Sequence, residues 1–372
     1  MSKTKKVLII GMSPIKGGIE MLLMQFFRNI DRSQVQFDFL TFCEKCVFED
    51  EITAAGSQVF HVTRRGENPI RNRKELIAFY KAHPNTYDYI WYHLSSASNC
   101  APVVLARKFT TAKIICHSHG TSFDSSAFFR PIHLLLDKIN YPKFMRSTDY
   151  CFACSKAAGK WLFKDTDRDI KLIKNGVKIE NFRFNPSIRA RLREELHAEN
   201  TVVIGHAGRF CEAKNQSFVI DIFSEYHRLV SNSLLLLIGE GETQSAMKEK
   251  VHTLGLESAV RFLGFREDFN DLLQAFDLFL MPSLYEGLPI SAVEAQTAGL
   301  PCLLADTITA ETAVTDLTAF LSLQDSAALW ALKIQELLAK EVSRGQYAQI
   351  VRDAGYDAQN TILDVTDFFC NT

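Results

Sequence analysis

No apolar run in the 372-residue sequence reaches the roughly 18–20 residues that a membrane span needs. Behind Met1-Ser-Lys-Thr-Lys-Lys stands only the short run Val7–Ile10. That is too short for the core of a secretion signal, and no small-residue cleavage site follows. Net charge is almost missing, at −1, which excludes a protein that coats nucleic acid through bulk charge. Internal repeats and low-complexity segments are absent. The glycine spacing G-x-G-x-x-G of an NAD site is missing after the first strand-like run, which sets an oxidoreductase aside. A D-x-D metal motif is missing from every plausible ligand loop; its only spacing is Asp165-Thr-Asp-Arg-Asp169, in a charged stretch. These absences lead to the expectation of a soluble, cytoplasmic protein that needs no metal.

What is present supports a large fold. Hydrophobic residues make up 47 % and charged residues 23 %, enough apolar material for a packed core and too little charge for disorder. At roughly 150 residues per domain, the length implies two or three domains. The near-zero charge also hides an asymmetry. Residues 1–180 hold 27 Lys+Arg and 17 Asp+Glu, a balance of +10; the remainder holds 42 − 27 = 15 and 43 − 17 = 26, a balance of −11. A basic first half points to something anionic beside it. Nine cysteines, an odd number with no secretion signal, read as reduced thiols. The pairs Cys43/Cys46 and Cys151/Cys154 would make a zinc site only if all four converged, and Tyr150–Cys154 reads instead as a buried strand.

Short apolar runs alternate with helical spacing. Strands are expected at Val7–Ile10, Val35–Phe42, Gln58–Val62, Tyr89–His93, Lys113–Ser118 and Tyr150–Cys154. A second set falls at Val202–Ala207, Leu234–Ile238, Val260–Leu263, Leu278–Met281 and Cys302–Ala305. Helices are expected at Gly18–Asn29, Asn72–Ala82, Gln216–Leu229 and Thr243–Leu254. This alternation predicts an α/β protein of parallel sheets with right-handed crossovers, in two Rossmann-like domains. The aperiodic stretch Ile173–Pro186, with its Asn-Gly and Pro, reads as the linker. The expected domains are residues 1–178, 179–355 and a terminal helix within 356–372 that crosses back to the first domain.

The stretch Leu278–Pro301 carries the most chemistry. It reads strand, loop, helix, glycine stop, with Pro289 at the first helical position and Gly299 and Pro301 as terminators. Glu286 falls on the loop and Glu294 one turn into the helix. Orphan amides near Gly287, Leu288, Ile290 and Ser291 make an anion site at the helix mouth. Carboxylates on either side of a bound diphosphate suit a nucleotide sugar, which presents ribose hydroxyls, diphosphate and sugar hydroxyls in that order.

E-x7-E in this frame resembles the retaining glycosyltransferases of the GT-B fold, family 4. Gly205-His-Ala-Gly-Arg-Phe-Cys-Glu-Ala-Lys-Asn215 is similar to the family's G-R-x-x-x-x-K segment, Leu237-Ile-Gly-Glu-Gly241 to its G-x-G segment and Val260-Arg-Phe-Leu-Gly264 to its V-x-F-L-G strand. Gly17-Gly18-Ile-Glu20 resembles the N-terminal glycine loop, and Ile115-Cys-His-Ser-His-Gly120 the strand end with the active-site histidine. Ala153-Cys-Ser-Lys156 and Asn175-Gly-Val177 are in the same style, so the resemblance spans nearly the whole chain. It is nearest to bacterial capsular and exopolysaccharide enzymes.

The resemblance implies a reaction and its residues. A sugar passes from a nucleotide-sugar donor, uridine rather than guanosine, to a hydroxyl of a saccharide acceptor linked to a polyprenyl diphosphate, with retention and without a cofactor. Arg209 and Lys214 clamp the diphosphate. Glu286 holds donor-sugar hydroxyls and Glu294 the ribose. Gly17, Gly18 and Gly239 bring backbone close, Phe265 borders the base, and Gly287, Leu288 and Ile290 face the phosphates. His119, chosen over His117 for its spacing to Gly120, lies at the sugar; Glu240 and Glu242 read as loop charges. A GT-B fold further implies parallel sheets facing a central cleft. Two alternatives are a nucleotide-sugar epimerase of the same fold and a catalytically silent nucleotide-binding scaffold. Separately, bulky apolar residues mix with Arg130, Lys138, Lys143 and Arg146 between Ser125 and Arg146, and Arg64, Arg65, Arg71, Arg73 and Lys74 extend the basic character. This is the pattern either of a peripheral contact with the anionic inner face of the cell membrane or of a core helix with solvated charges.

Overall fold

A computed structural model describes residues 4–121, 130–164 and 166–372. The chain forms two units, Met1–Asn175 with Gln359–Thr372, and Gly176–Ala358. The first holds seven strands: β1 (Lys5–Ile10), β2 (Val35–Thr41), β3 (Val59–His61), β4 (Tyr89–Leu94), β5 (Lys113–Ser118), β6 (Tyr150–Ala153) and β7 (Ile170–Leu172). Their order is β3-β2-β1-β4-β5-β6-β7, parallel throughout. The second holds β8 (Val202–Ala207), β9 (Ser233–Ile238), β10 (Val260–Gly264), β11 (Leu278–Met281), β12 (Cys302–Ala305) and β13 (Thr318–Leu321), in the parallel order β10-β9-β8-β11-β12-β13. Each unit is a Rossmann-like domain, as the alternation of strands and helices in the sequence predicts.

The central strands are apolar on both faces because helices cover both sides of a parallel sheet. β4 and β9 are buried at every residue. Each unit accordingly has two hydrophobic clusters, one per sheet face. β7 and β13, at the sheet edges, have no counterpart among the strands expected from the sequence. They are three and four residues long and only partly buried, so neither carries the longer buried apolar run of a central strand.

In the first sheet the strand order reverses between β1 and β4, and in the second between β8 and β11. Loops at the carboxyl ends of strands beside such a reversal diverge and leave a crevice. Close packing below these loops depends on glycine. A Cβ at Gly205 in β8 would lie 1.8 Å from the Phe276 ring.

The stretch read as a linker is more ordered than its composition suggests. Ile173 is buried, Val177 N–H donates to Tyr356 O at 2.7 Å, and Ala358 N–H donates to Val177 O at 2.9 Å. The outgoing and returning strands of chain are thereby tied side by side. Beyond them the helix Ala358–Asn371 delivers Ile362, Val365 and Phe369 to the core of the first unit. Phe369 packs edge-on against Phe37, Tyr89 and Trp91.

Candidate active site

In the second unit three strand-end loops are laced together. Gly208 N–H donates to Ile238 O at 3.0 Å, Phe210 N–H to Glu240 O at 2.9 Å, and Leu284 N–H to Ala213 O at 2.8 Å. Asn215 Nδ2 donates to Pro282 O at 3.1 Å and Gln216 Nε2 to Arg209 O at 2.8 Å. Gly239 makes this approach possible. Its φ is +126°, and a Cβ there would stand 2.1 Å from Gly208 O.

The lacing brings together two residues singled out separately in the sequence. Lys214 ends a short 3₁₀ turn, Glu212–Lys214, and Glu286 lies on the loop after β11. Lys214 Nζ meets Glu286 Oε1 at 2.5 Å, with the two side chains 20 % and 13 % exposed. Behind them His206 is fully buried, and its Nδ1 lies 2.9 Å from Leu280 O. Burial first, and then the neighbouring Lys214 cation, lower its imidazole to about 4. His206 was not singled out in the sequence; its place on a central strand reads only as core. Arg209 stands differently. It pairs with Glu242 at 3.1 Å, and both side chains are at least half exposed.

The helix after β11 covers Ile290–Thr297, with Pro289 as its N-cap. The proline therefore lies one residue earlier than the first helical position expected: its ψ of 109° is extended, and helical geometry begins at Ile290. The N-cap has no side-chain hydrogen bond. The N–H groups of Gly287, Leu288, Ile290 and Ser291 donate to no acceptor among the described residues. Glu294 projects from the fifth position of the helix. It is half-buried, its carboxylate has no hydrogen-bond partner among the described residues, and burial raises it to about 7. Phe265 follows Gly264, whose φ is +67°, and is exposed. Its N–H lies 3.5 Å from Glu240 Oε1.

In the first unit Gly17 is the N-cap of the helix Gly18–Asn29, and no neighbour crowds the Cβ position of Gly18. His119 follows β5 directly. Parallel register sets His93 of β4 opposite His117 of β5. His93 Nδ1 and His119 Nε2 are 2.8 Å apart. The His117 ring lies 4.1 Å from that of His119 and stacks on Trp91 with an interplanar angle of 2°. His93 and His117 are buried, and His119 is partly exposed. Burial holds the first two imidazoles well below their usual range and His119 down to about 3. Among the described residues these three are the group with metal-ligating reach, their ligand atoms all within 4.8 Å of one another. The two C-x-x-C pairs form no such group there, and no disulfide joins the nine cysteines.

Of the proposed membrane segment, residues 125–129 lie outside the described residues, as does Asp165 of the D-x-D spacing. The remainder is the helix Arg130–Ser147. Ile132, Leu134, Leu135 and Ile139 are exposed on it, as are Arg130, Lys138, Lys143 and Arg146. Among the described residues no helix is long and apolar enough to cross a membrane.

Comparison with known proteins places this geometry in a family. Residues 188–354 match the glycosyl transferases group 1. EpsF of Bacillus subtilis (strain 168), a glycosyltransferase by provisional assignment, is 32 % identical over 383 aligned positions, covering 97 % of this chain and 95 % of EpsF. The UDP-Gal:alpha-D-GlcNAc-diphosphoundecaprenol alpha-1,3-galactosyltransferase of Escherichia coli is 26 % identical, covering 81 % of this chain and 79 % of its own. In three dimensions the chain is similar to Anabaena Alr3699/HepE in complex with UDP-glucose, with a TM-score of 0.78, 21 % identity, and 99 % and 100 % coverage. WaaG, a glycosyltransferase involved in lipopolysaccharide biosynthesis, follows the same fold with a TM-score of 0.70, 16 % identity, and 98 % and 100 % coverage. A relative above 30 % identity along nearly all of both chains, two Rossmann-like sheets and these shared folds lead to one assignment: the chain belongs to the group 1 glycosyltransferases of GT-B architecture.

Proposed function

We propose that this chain is a retaining, metal-independent glycosyltransferase. It moves a sugar from a UDP-sugar to a hydroxyl of a saccharide carried on a polyprenyl diphosphate, in capsular or exopolysaccharide synthesis. One observation carries the reading: the Lys214–Glu286 pair stands beside four backbone N–H groups with no acceptor of their own among the described residues. A diphosphate satisfies such N–H groups and takes the ammonium as its counter-ion. The uridine donor and lipid-linked acceptor are supported by the Escherichia coli relative, which its name describes as using both, and by the UDP-glucose bound to HepE.

The residues then divide the work. Lys214 and Arg209 neutralise the leaving diphosphate, which two fixed cations can do without a metal. Glu286 accepts hydrogen bonds from sugar hydroxyls and Glu294 from the ribose. Gly239 and Phe265 border the base, and the Gly17-Gly18 backbone approaches the phosphates. His119 hydrogen-bonds to the sugar. The bond from the anomeric carbon to the phosphate oxygen breaks, and its electron pair stays on the diphosphate. The acceptor oxygen bonds to that carbon on the same face, and its proton passes to the departing phosphate oxygen. The exposed apolar and basic face of the helix Arg130–Ser147 rests on an anionic leaflet, where a lipid-linked acceptor resides.

The test offers UDP-glucose, UDP-galactose, UDP-GlcNAc and GDP-mannose, each with a synthetic saccharide on a diphospholipid, in buffer with EDTA. The expected outcome is one UDP-sugar giving a product with an α anomeric coupling at an undiminished rate. A β product, or a rate abolished by EDTA, rejects the mechanism. Co-sedimentation with vesicles tests the membrane contact: recovery should favour anionic over neutral lipid and fall in Leu135→Asp. Equal recovery on both lipids rejects it.

A further inference from the structure

We propose that His93 is a positioning residue that holds His119 in one tautomer, with the hydrogen on Nδ1, so that His119 meets its ligand as a hydrogen-bond donor. The inference rests on the reading above, in which His119 touches the donor sugar.

The three histidines have six ring nitrogens. His93 Nδ1 and His119 Nε2 share one hydrogen across 2.8 Å. Among the described residues His93 Nε2 and both nitrogens of His117 are buried without a partner, and so is Trp91 Nε1 beside them. This pocket is dry. His119 Nδ1 remains, on the one member of the cluster that is partly exposed. Where the shared hydrogen resides decides what that nitrogen offers.

If His119 Nε2 carried it, neutral His93 would carry its own hydrogen on Nε2. That would leave a buried N–H with no acceptor among the described residues. His117, also neutral, already hides one such N–H in the same pocket. If His93 Nδ1 carries the hydrogen, its Nε2 is a bare lone pair instead. A buried N–H without an acceptor is the rarer defect in folded proteins, so the second arrangement is favoured. His119 Nε2 then accepts, and neutral His119 must carry its hydrogen on Nδ1. It donates to a sugar oxygen and does not serve as a base.

Zinc would use the same three residues. Zinc-bound histidines, however, almost always anchor their second nitrogen to a carboxylate, carbonyl or water. Among the described residues His93 Nε2 meets no carboxylate or carbonyl, and neither His117 nitrogen meets one. The 2.8 Å separation is that of a hydrogen bond.

The first experiment is two-dimensional ¹⁵N–¹H NMR of histidine-labelled protein, which reads each tautomer directly and does not depend on turnover. His119 should appear with Nδ1 protonated in the full chain, and as a tautomer mixture in His93→Phe. An Nε2-protonated His119 in the unmodified protein overturns the proposal. So does a stoichiometric Zn²⁺ titration that shifts all three imidazoles together. The second experiment is kinetic. Asn places an amide where His has Nδ1, so His93→Asn should keep kcat within about threefold. His93→Phe should lose about tenfold in kcat, the worth of one hydrogen bond at 1.4 kcal/mol per decade. Melting temperatures of both variants identify a folding defect. Equal loss in the Asn and Phe variants, both folded, overturns the proposal. If no donor supports turnover in the unmodified chain, the functional reading fails while the NMR result still decides the tautomer.

Discussion

Two polar clusters sit at the carboxyl ends of neighbouring central strands, β4 and β5 in one unit and β8 and β11 in the other, and burial has treated them in opposite ways. In the first unit His93 and His117 pack on Trp91 and His119 packs on both; among the described residues no carboxylate pairs with them, and burial lowers all three imidazoles toward the neutral form. In the second, Lys214 and Glu286 are nearly as enclosed, yet they stand as an ion pair at 2.5 Å. Desolvation opposes charge in both. What differs is whether a partner of opposite sign is within reach. The consequence is chemical. The neutral cluster offers hydrogen bonds, which suit sugar hydroxyls. In the proposed reaction the ionised one holds a cation that a diphosphate can draw away from the carboxylate.

Breaking the ionised cluster should have the largest effect. Lys214→Met removes the ammonium that meets the enclosed Glu286 carboxylate. Turnover should fall by about 10²–10³-fold, as for other lost transition-state donors, and stability by about 3 kcal/mol. Lys214→Met with Glu286→Gln removes both charges. Melting temperature should then return toward that of the parent, while turnover stays low. Steady-state rates and thermal unfolding of the single and double variants check this. A double variant with parental turnover would remove Lys214 from the diphosphate.

Glu294 tests the same contrast one step down in size, because it is the enclosed carboxylate that has no cation. Its carboxyl lies at about 7 against a usual 4.5. Between those values the folded protein keeps a proton that the unfolded chain has released, so this group's contribution to stability falls as pH rises through that window. The loss is on the order of 3 kcal/mol. UDP binding should change in the other direction and strengthen toward pH 8, since ribose hydroxyls donate to the carboxylate. Glu294→Gln should flatten both profiles in calorimetry, and an unchanged slope would refute the assignment. In the neutral cluster, His117→Leu replaces unpartnered ring nitrogens with methyl groups of similar bulk. It should raise the melting temperature of its unit by about 2–4 °C.

How much of this could be read from the chain follows from what each feature depends on. Lys113–Ser118, Val202–Ala207, Leu278–Met281 and Cys302–Ala305 coincide with the strands expected because burial on both faces writes a continuous apolar run. β7 and β13 lie at sheet edges, where no such run is required. Lys214 and Glu286 were each visible from local spacing. Their pairing was not, because it joins residues 72 apart through the packing of two loops. His93 carries the least signal of all. Trp91-Tyr-His-Leu94 reads only as strand, and its bond to His119 follows from the β4–β5 register that sets it opposite His117. A polar residue at the last turn of an otherwise apolar strand was the one available clue.

The smallest effect belongs to the exposed counterpart of Lys214. Arg209 and Glu242 also form an ion pair, at 3.1 Å, but both side chains are at least half in water. Solvent screens such a pair to well under ~1 kcal/mol. Glu242→Ala should therefore leave the melting temperature within a degree or so of the parent, against the large loss from Lys214→Met. Its effect should appear in binding instead. Without Glu242 the guanidinium has one competitor fewer for a diphosphate, and UDP affinity should rise by about two- to threefold at low salt. The gain should shrink as ionic strength increases and the Debye length falls below ~8 Å. Titration calorimetry at two salt concentrations checks the outcome. If Glu242→Ala instead weakens UDP, the carboxylate is orienting Arg209 rather than competing for it. The two ion pairs would then differ in degree of exposure but not in the kind of work they do.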